Sequence, residues 1–167
     1  MLDPLLLCLL ALGGFLAGFV DAIAGGGGLI SVPILLSVGL PPVGAIASNK
    51  VQSAIGTAMA ATTYWRSGLV RIRPLLPAIA ATALGSLCGA FLLTRIDPSA
   101  LEVAIPVALI AIAIYFLFAP KLTDADRAAR LPFARYAPVM GFIIGFYDGA
   151  FGPGTGSFLT LGFILLF

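Results

Sequence analysis

Six stretches of this chain contain no Asp, Glu, Lys or Arg: Pro4–Val20, Ala22–Asn49, Val51–Trp65, Pro74–Thr94, Val103–Pro120 and Gly149–Phe167. A helix needs about 20 mainly apolar residues to cross the hydrocarbon core of a bilayer, and most of these blocks have that length. Charged residues make up 10 % of the 167, against roughly 25 % in soluble domains. A soluble fold of this size would bury only about 70 % of its unfolded surface, leaving large apolar areas in water. Soluble, disordered and fibrous classes are therefore excluded. In lipid every backbone polar group must be satisfied within the segment, which selects helices. The fold class expected is an all-α integral membrane protein, a polytopic helical bundle in a lipid bilayer.

Two spans are simple, Pro74–Thr94 and Pro98–Phe118, the latter with Glu102 near its start and Pro106 as a kink. A third, over 42–65, carries Lys50 within it. Residues 5–40 are too long for one crossing, since 36 residues at 1.5 Å each give roughly 54 Å. Their middle, Gly25-Gly26-Gly27-Gly28, is poor helix. The expectation is a helix, a glycine break and a short second helix ending before Pro41-Pro42. Arg66, Arg71 and Arg73 mark one basic loop, and Lys121, Arg127, Arg130 and Arg135 another. The positive-inside rule puts both in the cytoplasm, and Pro41-Pro42 outside. A cleaved signal peptide over Leu5–Ala24 competes for the N-terminus, but Met1-Leu2-Asp3-Pro4 is acidic where such a leader is basic.

An internal repeat argues against that leader. Residues 14–27 and 141–154 share seven of fourteen identities at a constant offset of 127, including Asp21/Asp148, Gly25/Gly152 and Gly27/Gly154. The organisation expected is a first repeat over 1–120, a cytoplasmic basic loop over 121–135, and the start of a second, incomplete repeat over 136–167. With the N-terminus outside, the second copy starts on the opposite side. That is an inverted-topology repeat, the architecture of many secondary transporters, whose sites form at broken helices near the midplane.

Charge and residue content narrow the chemistry. The net charge is +2 and the basic residues form no stripe, so nucleic acid is not an expected partner. With no histidine, His-based triads and most zinc sites are absent, and neither a metal nor a cofactor is expected. Cys8 and Cys88 lie in apolar runs without CxxC spacing, as buried structural thiols do.

The polar residues inside the apolar blocks are the candidates for function, because Asp or Lys at a helix centre costs about 2.5–3.5 kcal/mol on translocon scales. Gly25, Gly26, Gly27 and Gly28, with their counterparts Gly152, Gly154, Thr155 and Gly156, can present successive backbone amides. Half-helices starting at Leu29 or Ser157 would aim positive ends at an anion; close helix packing is the competing role. On a helical wheel Asn49, Lys50, Ser53, Gly56 and Thr57 share an arc of roughly 120°, with Gln52 on its flank. One cation among several donors suits a small oxyanion; the alternative is that Lys50 snorkels to the outer interface. Asp21 and Asp148 each precede a break, where a carboxylate can carry a coupling proton or cap free amides. Lys50 and Ser53 also stand at the spacing of a Ser–Lys catalytic pair, a weak signal. The Gly14-xxx-Gly18, Gly85-xxx-Gly89 and Gly141-xxx-Gly145 pairs are packing faces.

These residues resemble the TauE/SafE sulfite-exporter family of bacterial membrane transporters. The resemblance rests on Gly18-Phe19-Val20-Asp21-Ala22-Ile23-Ala24-Gly25-Gly26-Gly27-Gly28, on Ser48-Asn49-Lys50-Val51-Gln52, and on Gly145-Phe146-Tyr147-Asp148-Gly149-Ala150-Phe151-Gly152-Pro153-Gly154. It implies a two-repeat protein of the bacterial inner membrane that moves sulfite, sulfonates or related sulfur anions. Asn49, Lys50 and the two glycine breaks would then hold the small anionic substrate. The departure is in length, since the second counterpart of the Asn49-Lys50 helix is missing. A second expectation follows: a non-transporting membrane component that works as a homo-oligomer or with a completing subunit.

Overall fold

The computed structural model describes residues 3–23, 25–118 and 132–166. They form seven α-helices and, among the described residues, no strand: α1 Pro4–Ile23, α2 Gly28–Ser37, α3 Pro42–Arg66, α4 Leu76–Leu93 preceded by a 3-10 turn over Arg73–Leu75, α5 Pro98–Phe118, α6 Phe133–Ala150 and α7 Thr155–Leu166. Most of the basic loop expected over 121–135 lies outside the described residues. Arg135 belongs instead to the first turn of α6, where Pro132 accepts its amide. At the start of α5 the Ser99 amide and hydroxyl donate to Asp97 Oδ1 at 2.8 and 2.7 Å. Those two bonds hold the Asp97 carboxyl below the ordinary carboxylate range.

Each glycine break is the bend of a hairpin. Gly25 and Gly26 have φ of +64° and +126°, and Gly152 and Gly154 have +91° and +82°, values that a side chain makes costly. The chain therefore reverses rather than bends. A methyl added at Gly13 would meet Ile34, and one at Gly27 would collide with the Ala17 carbonyl, so α2 runs back along α1. In the second hairpin Tyr136 and Tyr147 donate their hydroxyls to the carbonyls of Gly162 and Pro153, each at 2.6 Å. The first bond ties α7 back along α6, and the second closes the bend between them.

Two further contacts fix helix directions. Gln52 donates to the Gly14 carbonyl at 2.8 Å, and one turn on Gly56 faces the Gly18 carbonyl, so α3 runs parallel to α1. Ala78 meets Gly141, Thr82 meets Gly145 and Ser86 meets Gly149, so α4 runs parallel to α6. Gly85 and Gly89 face the Phe142 and Phe146 carbonyls across the same seam. Backbone packs directly on backbone here, the contact that small-xxx-small faces permit in lipid.

A core of Val32, Ala45, Ile46, Leu93, Leu101, Ile105 and Leu109 ties α2, α3 and α5 to the end of α4. The outside is apolar as well. Leu5, Phe15, Leu87 and Leu117 are all more than two-thirds exposed. Pro4–Ile23 and Arg73–Leu93 are long and apolar enough to cross a membrane, and only 17 % and 11 % of their spans are buried. The core helix of a soluble protein hides its apolar face; these helices turn theirs outward, toward lipid. Cys8 and Cys88 share that outward position, and both are free and exposed. The buried structural thiols expected from the sequence are thus corrected: lipid accommodates an apolar thiol as readily as a core does.

Candidate functional site

The two breaks meet. A methyl at Gly25 would collide with Gly156 Cα, and one at Gly28 would sit 3.0 Å from Pro153 Cα. Ser157 donates its hydroxyl to the Gly25 carbonyl at 3.0 Å. The two bends therefore cross antiparallel, in contact along the backbone. From α3, Asn49 stands between them: its Nδ2 would be 3.0 Å from a methyl at Gly28 and 3.6 Å from one at Gly152. Its Oδ1 accepts the Ser31 hydroxyl at 2.6 Å, and both residues are buried.

Asp21 occupies the start of α2. Its Oδ1 accepts the Gly26 and Gly27 amides at 3.0 and 2.7 Å, groups that would otherwise be orphaned at a helix N-terminus. The carboxylate is buried, and its Oδ2 has no hydrogen-bond partner. The amides expected to receive a substrate anion at this break are thus filled by an anion from the chain itself. Asp21→Ala is expected to cost roughly 2–4 kcal/mol, because two amides in the packed break lose their acceptor. Asp21→Asn keeps a side-chain oxygen there and should retain most of that stability. Thermal unfolding in detergent compares the two, and equal losses would contradict the capping role.

The second break is built differently. Asp148 Oδ1 accepts the Thr155 hydroxyl at 2.8 Å, and Oδ2 lies 3.6 Å from Lys50 Nζ. The Lys50 ammonium also donates to the Asp148 carbonyl. Lys50 thus reaches from α3 to the second hairpin rather than to the interface. Both side chains remain about one-third exposed, at 31 % and 39 %, because they face open space.

That space is a cavity of about 480 Å³. Of the glycine breaks, the polar arc and the two aspartates singled out in the sequence, Asp21, Gly25, Gly26, Gly28, Asn49, Lys50, Ser53, Thr57, Asp148, Gly152, Thr155 and Gly156 line it. Four do not. Gly56 faces the Gly18 carbonyl. Gln52 turns to α1, where glycine leaves the Gly14 carbonyl uncovered. Gly27 packs on Ala17, and Gly154 is buried in its bend. The sequence reading overlooked Thr82 and Ser86, which line the cavity from α4, and Ser31, which orients Asn49. Thr82 and Ser86 are one turn apart, so the signal was a polar pair inside a span. The charged groups on the wall are Lys50, Asp21 and Asp148. Asp21 is held by amides and Asp148 shares Lys50, so a small oxyanion can gain the ammonium once Asp148 gives it up.

Residues 10–167 match the family described as "Sulfite exporter TauE/SafE". The chain belongs to the TauE/SafE family. Among its curated relatives is "Probable membrane transporter protein ORF9" of Sinorhizobium sp, 42 % identical over 96 % of this chain and 62 % of that protein. A "Probable membrane transporter protein" of Haemophilus influenzae is 44 % identical over 96 % of this chain and 63 % of its own length. "Probable membrane transporter protein YfcA" of Escherichia coli K12 is 41 % identical over 99 % and 62 %. This TauE/SafE chain therefore spans about three-fifths of the relatives it matches. No solved structure matches it.

Proposed function

We propose that this chain supplies the anion site of a secondary transporter for a small sulfur-containing oxyanion, sulfite or a sulfonate. The observation that carries the reading is the Lys50 ammonium held between two glycine breaks, in a cavity whose size suits a small ligand. The amide of Asn49 and the hydroxyl of Ser53 add donors on the same wall. The family and the names of the relatives support transport. No bond is made or broken in this reading, and the Lys50 ammonium is engaged by Asp148 rather than serving a Ser53 nucleophile.

The proposed setting is the bacterial inner membrane, crossed several times as an inverted repeat. α3 and α4 are joined by a short connection and so run in opposite senses. Since α1 parallels α3 and α6 parallels α4, the two hairpins approach from opposite faces and meet at their bends. That geometry supports broken-helix sites at the midplane.

The carboxylate we propose to carry a coupling proton is Asp148, because it shares Lys50. With Asp148 ionised, Lys50 is matched by a carboxylate. A proton on Asp148 frees the ammonium for the oxyanion, so proton and anion travel together. The expected result in proteoliposomes is proton movement that follows added methanesulfonate, a strong-acid anion that binds no proton itself, above that of protein-free vesicles. Asp148→Asn should keep substrate flux and lose the internal pH change. A full pH signal in Asp148→Asn would remove the coupling role, and no substrate flux in the wild type would remove transport.

A further inference from the structure

α1 and α6 are counterparts at the offset of 127, so the packing of one is a template for the other. On α6, a methyl at Gly141, Gly145 or Gly149 would press on Ala78, Thr82 or Ser86 of α4. The counterparts on α1 are Gly14, Gly18 and Ala22. A methyl at Gly14 meets nothing within 4 Å, and one at Gly18 meets only the Gln52 amide, at 3.9 Å. With Gly56 and Ala60 of α3, these residues line an open groove of about 530 Å³, separate from the anion cavity. Glycines one turn apart in a membrane helix give up side-chain packing, and gain from it where another backbone comes close. On α6 one does. On α1 the place is open.

We propose that this groove seats one further apolar helix, the counterpart of α4 in the second repeat. It would run parallel to α1, as α4 does to α6, and set its own small residues against Gly14 and Gly18. Each repeat would then brace the hairpin of the other. Shifting Leu76–Leu93 by the repeat offset places this helix outside the matched segment, and more than a third of each relative lies outside the match, which covers 62–63 % of them. A second copy of this chain fits less well: its Gly85–Gly89 face is already closed against its own α6. The proposal stands apart from the transport reading and does not depend on it.

The test compares thiol labelling in this chain and in the full-length Escherichia coli relative. In this chain, with Cys8→Ala and Cys88→Ala, a cysteine is placed by Gly14→Cys, and by Leu12→Cys as a lipid-facing reference. The aligned positions are changed in a cysteine-free form of the relative. A lipid-soluble maleimide should label position 14 at least tenfold more slowly in the relative than in this chain, with position 12 equal in both. Ala22→Cys, which keeps a Cβ the groove already holds, gives the same comparison should the glycine variant not fold. An oxidative cross-link from position 14 to the α4 counterpart within one chain would identify the occupant. Equal labelling of positions 14 and 22 in both proteins, or a cross-link only between copies, would overturn the proposal.

Discussion

Lys50→Gln is expected to weaken sulfite binding by roughly 10- to 100-fold while leaving the protein folded. The lysine is the cavity's only cation among the described residues, and hydrogen bonds to charged groups are worth about 1.5–3 kcal/mol. At about 1.4 kcal/mol per factor of ten, that range sets the expected loss. Fold should survive because Lys50 and Asp148 are each about one-third exposed, and partly exposed ion pairs contribute about 1 kcal/mol or less. Glutamine retains length and one donor group, so the change isolates charge. Titration of sulfite into the detergent-solubilised protein reads it, with methanesulfonate as the sulfonate probe. Unchanged affinity for both would take Lys50 out of the site.

Gly149→Leu should have the largest effect on stability. The position faces the Ser86 backbone, and its neighbours along the seam, Gly85, Gly89, Gly141 and Gly145, are equally close to the opposing helix. A side chain there cannot be absorbed by a rotamer change, because what it meets is mainly backbone. α4 and α6 must separate, and contacts along four turns are lost with them. Overpacking in a core costs about 1–3 kcal/mol and sometimes more, and this seam belongs at the upper end. Leu87→Ala, on the outward face of α4 and 68 % exposed, should change stability by only about 0.5 kcal/mol. Unfolding midpoints in detergent compare the two. A Gly149→Leu protein as stable as Leu87→Ala would mean that the seam does not hold the hairpin.

How far each feature could be read from the sequence depended on how local its cause is. Helix class follows from apolar length, which is a one-dimensional property, and the all-α membrane fold is what the structure and the family show. The breaks announce themselves as glycine runs after an aspartate. Whether a break bends a crossing or reverses it depends on φ at Gly25, Gly26, Gly152 and Gly154, and the residue type alone leaves both open. That Asp21 caps two amides follows only from the folded break, which places the Gly26 and Gly27 amides on its Oδ1. Gln52 lay near the polar arc on a helical wheel, yet α1 supplies a bare carbonyl at Gly14 and draws it away. Thr82 and Ser86 reach the cavity only because α4 packs against α6, a contact between elements some sixty positions apart. The Gly14–Gly18 pair reads as a packing face in the sequence, but in the structure it stands open.

The most direct test of the anion site uses the fact that the chain has two lysines, Lys50 and Lys121. An amine-reactive ester acylates both, and peptide mass spectrometry follows each rate separately. Lys121 corrects for any reagent consumed by sulfite itself. If Lys50 holds the substrate, saturating sulfite or methanesulfonate slows acylation of Lys50 severalfold relative to Lys121. A ratio of the two rates that stays constant at every anion concentration would contradict the account.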